Sequence, residues 1–576
     1  MQSRREGMAL AMVLLLVLLM GSIAAAAATI SSNSWVMTQY KERQGTLAAV
    51  ADAGVEEGRA RVNGDRSLYP DSNWTTLENG VRVTNAAGDT IRGVRRWTYV
   101  GPIGMTTGQY GVFGSVVSVA QADNGDRVIR RLEIIQESFA KYGYFTNFEG
   151  NIVFGVGDQL FGPVHSNDTI TVHSTGATFH GLVTTAGIVV DPGYGDFRVG
   201  YEDSARVIPF PATADLTKLK GYAQTGSMAF TADSTTGTAG QAALRFEFMN
   251  IDLNGDGDAT DADEGFMRVY RATGSPPNVH WVTGDTLQNM ANSRNCGDYH
   301  GTDFVAAINH PVSSQTWQQA LDHSSRRCFA GGDDRIWDGV FTATDALGAY
   351  VAWGGTVDSR LNSRADKNYL HPITRALNPN FKGVIFVNGK VAISGIVRGR
   401  LTLAATKGII VIDDVKYATD PSTQTCKDIL GLFSGTDVTV ADNAINAPMQ
   451  YAPGGGSFKT YDDTPEEYLH AVVLSLDNFL AENWNTGSQT AQPCGANSAG
   501  RGCLYLSGGV IQANRGAVGT AAGYGYVKRY AYDPCAFSDP PPYFPTTGHF
   551  ARSRMLEVDP TGFSISALFD LLTPDS

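Results

Sequence analysis

An uninterrupted apolar run near the N-terminus constrains this chain more than any other feature. Arg4, Arg5 and Glu6 precede residues 8–30, which carry no charged side chain, and the next charge is Lys41. A helix rises about 1.5 Å per residue, so a run of this length can cross a hydrocarbon core of about 30 Å. Because the arginine pair comes first, the positive-inside rule keeps the first residues in the cytoplasm and exports the rest of the chain.

The same run also fits a secretory signal peptide, with alanines 24–28 as a small-residue cleavage region. The sequence after the run favours a continuing helix, because residues 35–62 contain no proline and their apolar and small residues recur mostly every three or four positions. These periodic positions are Val36, Tyr40, Leu47, Ala51, Gly54 or Val55, Gly58 and Val62. We therefore expect a transmembrane helix over residues 8–30 and an amphipathic continuation over residues 31–63.

The first residues, Arg-Arg-Glu-Gly followed by Met-Ala-Leu-Ala-Met and a leucine run, resemble a type IV prepilin leader of the minor-pilin (PilX-type) class. The large minor pseudopilin of type II secretion begins similarly. The resemblance implies a leader over residues 1–7, cleavage after Gly7 and a mature N-terminus at Met8. It also implies an inner-membrane location, with other pilin-like subunits and the pilus assembly machinery as partners. Major pilins carry glutamate at the fifth mature position, where this chain has Met12, so a tip, priming or pilus-associated component is favoured over a bulk subunit.

Beyond the helix the sequence predicts a mainly β protein with a few helices. Residues 64–148 read as a pilin-like β-head, with strands at 81–84, 95–100, 111–120 and 126–135 and a turn at Asn124-Gly125. Residues 149–210 and 381–576 contain short β-branched runs separated by single glycines. Such runs are typical of an irregular β-solenoid-like ectodomain, and a β-sandwich is the alternative.

These two regions also resemble an uncharacterised bacterial exoprotein family, in which a Gly-Pro-Val-His-Ser/Thr-Asn turn precedes such rungs. The turn corresponds here to residues 162–167. That family joins the same kind of leader to this ectodomain, and the resemblance implies no known activity.

Three histidines recur at similar intervals and could align as metal ligands, namely His165, His173 and His180. Histidines in turns more often form hydrogen bonds.

An insertion over residues 211–380 separates the two regions. We predict soluble helices at 314–323 and at 463–482, the latter because Leu469, Val472 or Val473, Leu476 and Leu480 would share one helical face. The proline- and aromatic-rich residues 530–550 are expected to be extended and to cap the end of the β-structure.

The most specific motif is an acidic loop inside the insertion, residues 252–264, with D-x-N-x-D-G spacing. This spacing brings oxygen ligands onto one Ca²⁺ ion while the glycine permits a sharp turn. The candidate ligands, with the final one ambiguous, are Asp252, Asn254, Asp256, Asp258, Thr260, Asp263 and Glu264. Because the flanks read as strands, we predict a calcium-clamped hairpin over residues 244–272, in which Ca²⁺ is structural.

The chain has six cysteines, Cys296, Cys328, Cys426, Cys494, Cys503 and Cys535. An even number without C-x-x-C in an exported chain indicates three disulfides more than a zinc site. Proximity in the sequence favours Cys494–Cys503 and Cys296–Cys328, which leaves Cys426–Cys535.

The formal net charge of −13 and the absence of a basic tract argue against nucleic acid as a partner. The sequence contains no H-E-x-x-H, G-x-S-x-G or P-loop motif, so we expect no enzyme activity. The favoured function is that of a minor pilin-like, membrane-anchored surface protein for pilus or type II secretion-like assembly, tip display or adhesion to a surface ligand. The alternatives are a β-solenoid enzyme acting on polysaccharide and a secreted structural or binding protein.

Overall fold

The computed structural model describes residues 3–70, 72–103, 109, 111–155, 157–232, 242–272, 343–344, 348–441, 450–451, 458–459, 467–482, 484–485, 502–520 and 524–572. Among the described residues, strands account for 42% and helices for 24%, which confirms the predicted mainly β class. The predicted helix at 314–323 lies outside the described residues.

The α-helices of the described residues are α1 Ser3–Gly64, α2 Thr213–Thr225, α3 Cys535–Ser538 and α4 Ile565–Leu572. The strands up to the acidic loop are β1 Thr75–Thr84, β2 Thr90–Pro102, β3 Phe113–Ala122, β4 Arg127–Ser138, β5 Tyr144–Phe148, β6 Asp158–Leu160, β7 Val164–Ser166, β8 Ile170–Thr171, β9 Ala177–Phe179, β10 Val183–Thr185, β11 Val189–Val190, β12 Gly195–Phe197, β13 Tyr201–Glu202, β14 Ala229–Thr231 and β15 Leu244–Asn250. The later strands are β16 Gly265–Ala272, β17 Gly348–Tyr350, β18 His371–Pro372, β19 Val384–Asn388, β20 Val391–Val397, β21 Arg400–Ala405, β22 Ile409–Tyr417, β23 Ile429–Ser434, β24 Val438–Val440, β25 Gln450–Tyr451, β26 Phe458–Lys459, β27 Glu467–Ala481, β28 Gly502–Asn514, β29 Tyr526–Tyr532 and β30 Thr546–Val558.

The chain divides into two compact units. The first comprises the described residues of Met1–Thr107, Val112–Gln136 and Gly548–Ser576, and the second is formed mainly by Glu137–Thr547. The second unit is therefore inserted between two parts of the first. This corrects the expectation that residues 381–576 form one segment, because the chain beyond Gly548 returns to the first unit.

The first unit contains a five-stranded sheet in the order β1-β2-β3-β4-β30, and its β1-β2-β3-β4 pairings are antiparallel. The C-terminal third of α1 packs on one face of this sheet, whereas Val36 and Tyr40 of the predicted amphipathic segment are 54% and 50% exposed. The helix residues that are buried there are Leu47, Val50, Ala51, Val55 and Val62. On the opposite face, Phe569 of α4 packs against Val117, Val119 and Ile129. The C-terminal segment thus completes the first unit with an edge strand and a covering helix.

Gly58 marks a close approach of α1 to the sheet. A Cβ atom at this position would lie 2.6 Å from Val116 Cγ1 and 3.0 Å from Thr98 Cγ2. We expect Gly58→Ala to lower the free energy of unfolding by about 1–3 kcal/mol, because the added methyl group overpacks this contact. Gly45→Ala is the matched control on the same helix. No atom lies within 4 Å of its Cβ position, so this change should raise stability by about 0.5–1 kcal/mol through helix propensity. Denaturant unfolding of both variants checks the contrast, and equal effects would contradict this packing.

The core of the second unit is a stack of parallel strands. The first stack runs in the order β14-β19-β21-β23-β27-β28-β5-β7-β10-β13, and every neighbouring pair in it is parallel. A second stack includes β15, β20, the start of β22, β24 and the end of β27. A third runs from the start of β27 through β28, β29, β6 and β9 to β12. Parallel stacking of short strands is the pairing expected of solenoid rungs, whereas the sandwich alternative requires antiparallel sheets.

The order of the strands within a stack differs from their order along the chain. The late strand β28 pairs with β5, and β5 pairs with β7, so the two sequence regions at 149–210 and 381–532 form one continuous stack. Buried charges join them at this junction. Arg515 Nη1 donates to Glu149 Oε2 over 2.9 Å, and both side chains are 1% exposed. Its guanidinium also donates to the carbonyl oxygens of Ile152 and Val153 and lies 3.7 Å from the ring centroid of Phe154.

Both faces of the first stack are covered by apolar side chains. Inward-facing residues belong to the main core, and outward-facing ones such as Phe433 and Leu474 pack under α2 and under Ala536 and Phe544. The predicted proline-rich cap is therefore misplaced. Its Pro541, Pro542 and Phe544 lie close to Gly431 or Gly383 on the side of the stack, where they cover a face and not an end.

The predicted helix over residues 463–482 is wrong, because Glu467–Ala481 forms the long strand β27. Leu469, Ala471 and Val473 face the main core, whereas Val472 and Leu474 face the outer cluster. A strand buried on both faces has no polar alternation to reveal its period of two. Its apolar residues then satisfy helical spacing by coincidence.

Candidate metal loop and membrane helix

One helix in the described part of the chain is long and apolar enough to cross a membrane. Its most apolar 18-residue window has a mean hydropathy of 2.6, and none of that window is buried. Met8 and Met12 are 71% and 70% exposed. Gly7 and Met8, the predicted cleavage pair, both belong to α1. The N-terminal part of this helix thus has no packing partner among the described residues, whereas its C-terminal third is packed on the sheet.

The predicted hairpin around the acidic loop is confirmed. Strands β15 and β16 pair antiparallel over seven residue pairs, from Leu244↔Arg271 to Asn250↔Gly265. Ile251 and Leu253 anchor the base of the loop in an apolar cluster. The acidic residues between these strands are therefore presented on a fixed support.

Two carboxylates of the loop organise its own backbone. The Asp252 carboxylate accepts hydrogen bonds from the backbone N–H groups of Gly255 and Gly257. Asp258 Oδ1 accepts from the N–H and the hydroxyl of Thr260, and these bonds hold the pKa of Asp258 below its ordinary value. Gly255 and Gly257 have φ values of +76° and +95°, a left-handed conformation that glycine adopts without strain.

Asn254 lies at the centre of the exposed acidic side chains. Its Nδ2 donates to Asp256 Oδ2 over 3.0 Å and to Asp261 Oδ2 over 2.9 Å. Its Oδ1 accepts from the backbone N–H of Asp256. Asn254, Asp256 and Asp261 are therefore brought together, although Asp261 was not among the predicted ligands.

The two candidates for the final ligand are engaged elsewhere. Asp263 Oδ2 forms an ion pair of 2.7 Å with Arg360. Glu264 is 1% exposed, and its carboxylate accepts from the backbone N–H groups of Leu253 and Asp261. Asp261, and neither of these two residues, therefore lies beside Asn254, in a loop that joins two strands.

Within the described residues, no three His, Cys, Asp or Glu side chains already form a group that could hold a metal ion. The donor set of the loop nevertheless has the chemistry that Ca²⁺ prefers, since carboxylate and amide oxygens are its usual ligands. Asp252, Asn254, Asp256 and Asp261 are all exposed and close in sequence on one supported turn.

His165, in the Gly-Pro-Val-His-Ser-Asn turn, has a structural role. Its ring nitrogens bond with Thr184 Oγ1 and Asn167 Oδ1, and its burial lowers its pKa. Asn167 also bonds with the backbone N–H and carbonyl of Ile208. The turn therefore fastens the segment that leaves the stack.

The predicted disulfide Cys426–Cys535 is confirmed. Cys503 is also disulfide-bonded. The predicted pairs Cys494–Cys503 and Cys296–Cys328 include Cys296, Cys328 and Cys494, which lie outside the described residues.

No protein family model, curated protein or solved structure matches this chain.

Proposed function

We propose that this protein is a non-enzymatic, minor pilin-like component anchored in the bacterial inner membrane by α1. Its ectodomain would lie in the periplasm or at the cell surface and serve pilus or type II secretion-like assembly, tip display or adhesion. Its partners would be other pilin-like subunits and the assembly machinery. The observation that carries this proposal is the division of α1 into an exposed, apolar N-terminal part and a C-terminal third packed on an antiparallel sheet.

This division supports the proposal because the exposed part and the packed part of α1 are suited to different surroundings. An exposed apolar surface of this length is unfavourable in water and favourable in a bilayer or among other apolar helices. The packed C-terminal third connects that segment to a folded domain without a break in the helix. A helix with only an export role would not need to continue without a break into the core of the mature protein.

Met12 further limits the place of the protein in a filament. In the resembled family, a glutamate at this position neutralises the terminal amine of the neighbouring subunit ahead. A subunit without this carboxylate would leave that amine unpaired in an apolar setting, at a cost of several kcal/mol. With no subunit ahead of it the cost is avoided, so the protein would be sparse and located at the tip or in the priming complex.

Immunogold labelling of the native protein on piliated cells tests this placement. We expect sparse label at pilus tips or at the cell envelope. Met12→Glu is the informative variant, because restoring the carboxylate should permit label along the pilus shaft. Even decoration of the shaft by the unmodified protein would contradict the tip placement.

We further propose that the loop binds one structural Ca²⁺ ion through oxygen atoms of Asp252, Asn254, Asp256 and Asp261. A bound ion would neutralise several like charges that otherwise repel each other on one turn. Its role would be to stiffen the end of the β15–β16 hairpin.

Calcium should therefore raise the melting temperature of the full-length protein. For a dissociation constant in the ~10⁻⁴–10⁻³ M range of extracellular sites, 10 mM Ca²⁺ would stabilise the folded state by about 1.4–2.7 kcal/mol. Asp256→Ala should abolish the shift, whereas Asp196→Ala, an exposed acidic residue outside the loop, should retain it. Identical melting curves in calcium and in chelator, together with no heat of calcium binding, would contradict the site.

A further inference from the structure

A cavity of about 330 Å³ lies in the second unit, at the corner between the second and third stacks. Three successive levels of the stack contribute to its wall. Trp484 follows the end of β27, and residues 151–153 precede β6. Between these levels, residues 516–520 follow β28, Tyr524 precedes β29, and residues 526–528 begin β29. Neighbouring strands lie about 4.8 Å apart, so the three levels span roughly 10 Å along the stack.

Two large aromatic side chains line this cavity and remain exposed. Trp484 is 38% exposed and Tyr524 is 44% exposed. Hydrogen bonds hold the Tyr524 segment in place, because Thr520 and Tyr524 exchange hydrogen bonds and Tyr526 N–H donates to the carbonyl of Val518. A Cβ atom at Gly525 would lie 2.5 Å from the carbonyl oxygen of Trp484. This glycine therefore permits the close approach of the two aromatic segments.

A buried ion pair supplies the polar part of the wall. Lys528 Nζ donates to Asp158 Oδ2 over 2.9 Å, and the backbone N–H of Gly155 donates to the same oxygen. The side chains of Lys528 and Asp158 are 13% and 6% exposed. No described residue donates to Asp158 Oδ1, so this oxygen is available to a hydroxyl group. The two charges balance, which disfavours a strongly charged ligand.

We propose that this cavity binds an uncharged glycan chain. The apolar C–H faces of sugar rings would pack on Trp484 and Tyr524, while ring hydroxyls would donate to Asp158 Oδ1 and accept from Lys528. Because the wall extends over several levels of a regular stack, it suits a chain of successive sugar units. The formal net charge of −13 adds long-range repulsion against polyanions. This inference goes beyond the proposed function, since it holds whether or not α1 enters a filament.

Calorimetric titration of the full-length protein in detergent tests the proposal with defined probes. The uncharged probes are cellohexaose, chitohexaose, maltohexaose and xylohexaose, and hexagalacturonate is the anionic comparison. At least one uncharged probe should bind with a dissociation constant below ~1 mM. Tyr524→Ala and Trp484→Ala should each weaken this binding about tenfold or more. Tyr194→Ala removes a tyrosine that is 53% exposed and lies outside the cavity lining, so it should bind as the unmodified protein does.

Three outcomes would overturn the proposal. In the first, no uncharged probe binds with a dissociation constant below ~1 mM. In the second, Tyr524→Ala binds the uncharged probe as tightly as the unmodified protein does. In the third, the protein binds hexagalacturonate more tightly than any uncharged probe. If Trp484→Ala fails to fold, Trp484→Phe keeps an apolar ring with a smaller face and should show a smaller loss. Tyr524→Ala keeps the test decisive in either case, because the exposed tyrosine contributes little to the core.

Discussion

Replacing Arg515 by alanine should lower the free energy of unfolding of the second unit by about 3–5 kcal/mol. The guanidinium donates to Glu149 and to two backbone carbonyls on the neighbouring level, and it is almost completely buried. Its removal would leave the Glu149 carboxylate buried without its cation, and both carbonyls would lose a donor. Because Arg515 belongs to the region 381–532 and Glu149 to the region 149–210, the substitution weakens the contact that joins these two regions.

Denaturant unfolding of the full-length protein in detergent measures this effect. Arg198→Ala is the matched control, because Arg198 pairs with Asp196 while both side chains are more than half exposed. Such a surface pair contributes at most about 1 kcal/mol. The double change Glu149→Gln with Arg515→Met should recover part of the lost stability, since no charge is then left unpaired. A loss at Arg515→Ala no larger than that at Arg198→Ala would contradict the role of this junction.

Breaking the Cys426–Cys535 bond is the second change with a large expected effect. The two cysteines are 109 residues apart in the sequence. A crosslink that closes a loop of this length restricts the unfolded chain strongly, by about 4–5 kcal/mol in the loop-entropy model. The bond also ties α3, which begins at Cys535, to the loop that follows β22. We therefore expect Cys426→Ser to lower the midpoint of denaturant unfolding markedly.

The control for this prediction is the double variant Cys426→Ser with Cys535→Ser. It should be no less stable than the single variant, because both lack the same crosslink. Reductant should lower the stability of the unmodified protein much more than that of the double variant, which retains only the other cysteines. If the unmodified protein and the single variant unfold at the same denaturant concentration, the bond does not stabilise the fold.

Sequence reasoning succeeded where a local pattern determines the structure. The Asn124-Gly125 turn lies between β3 and β4, which pair as a hairpin. The strands flanking the acidic loop also pair as expected. The Cys426–Cys535 disulfide followed from elimination among six cysteines in a chain that was expected to be exported.

The wrong predictions concern features that depend on residues distant in the sequence, which no local sequence pattern reveals. Strand β27 is apolar on both faces because α2 and the segment around Phe544 cover the outside of its stack, and that cover is distant in sequence. The return of β30 and α4 to the first unit depends on a sheet edge and an apolar face that exist only after folding. Asp261 replaced Asp263 beside Asn254 because Arg360, nearly a hundred residues later, pairs with Asp263.

The mature N-terminus is the most direct test of the central claim that this is a membrane-anchored, pilin-like protein. Mass spectrometry of the protein purified from its native membrane should show a chain that begins at Met8, with the whole apolar run retained. A methylated terminal amine would add further support to the pilin class. A mature chain beginning near Thr29 would contradict the claim, because the apolar half of α1 would then be a signal sequence that is removed.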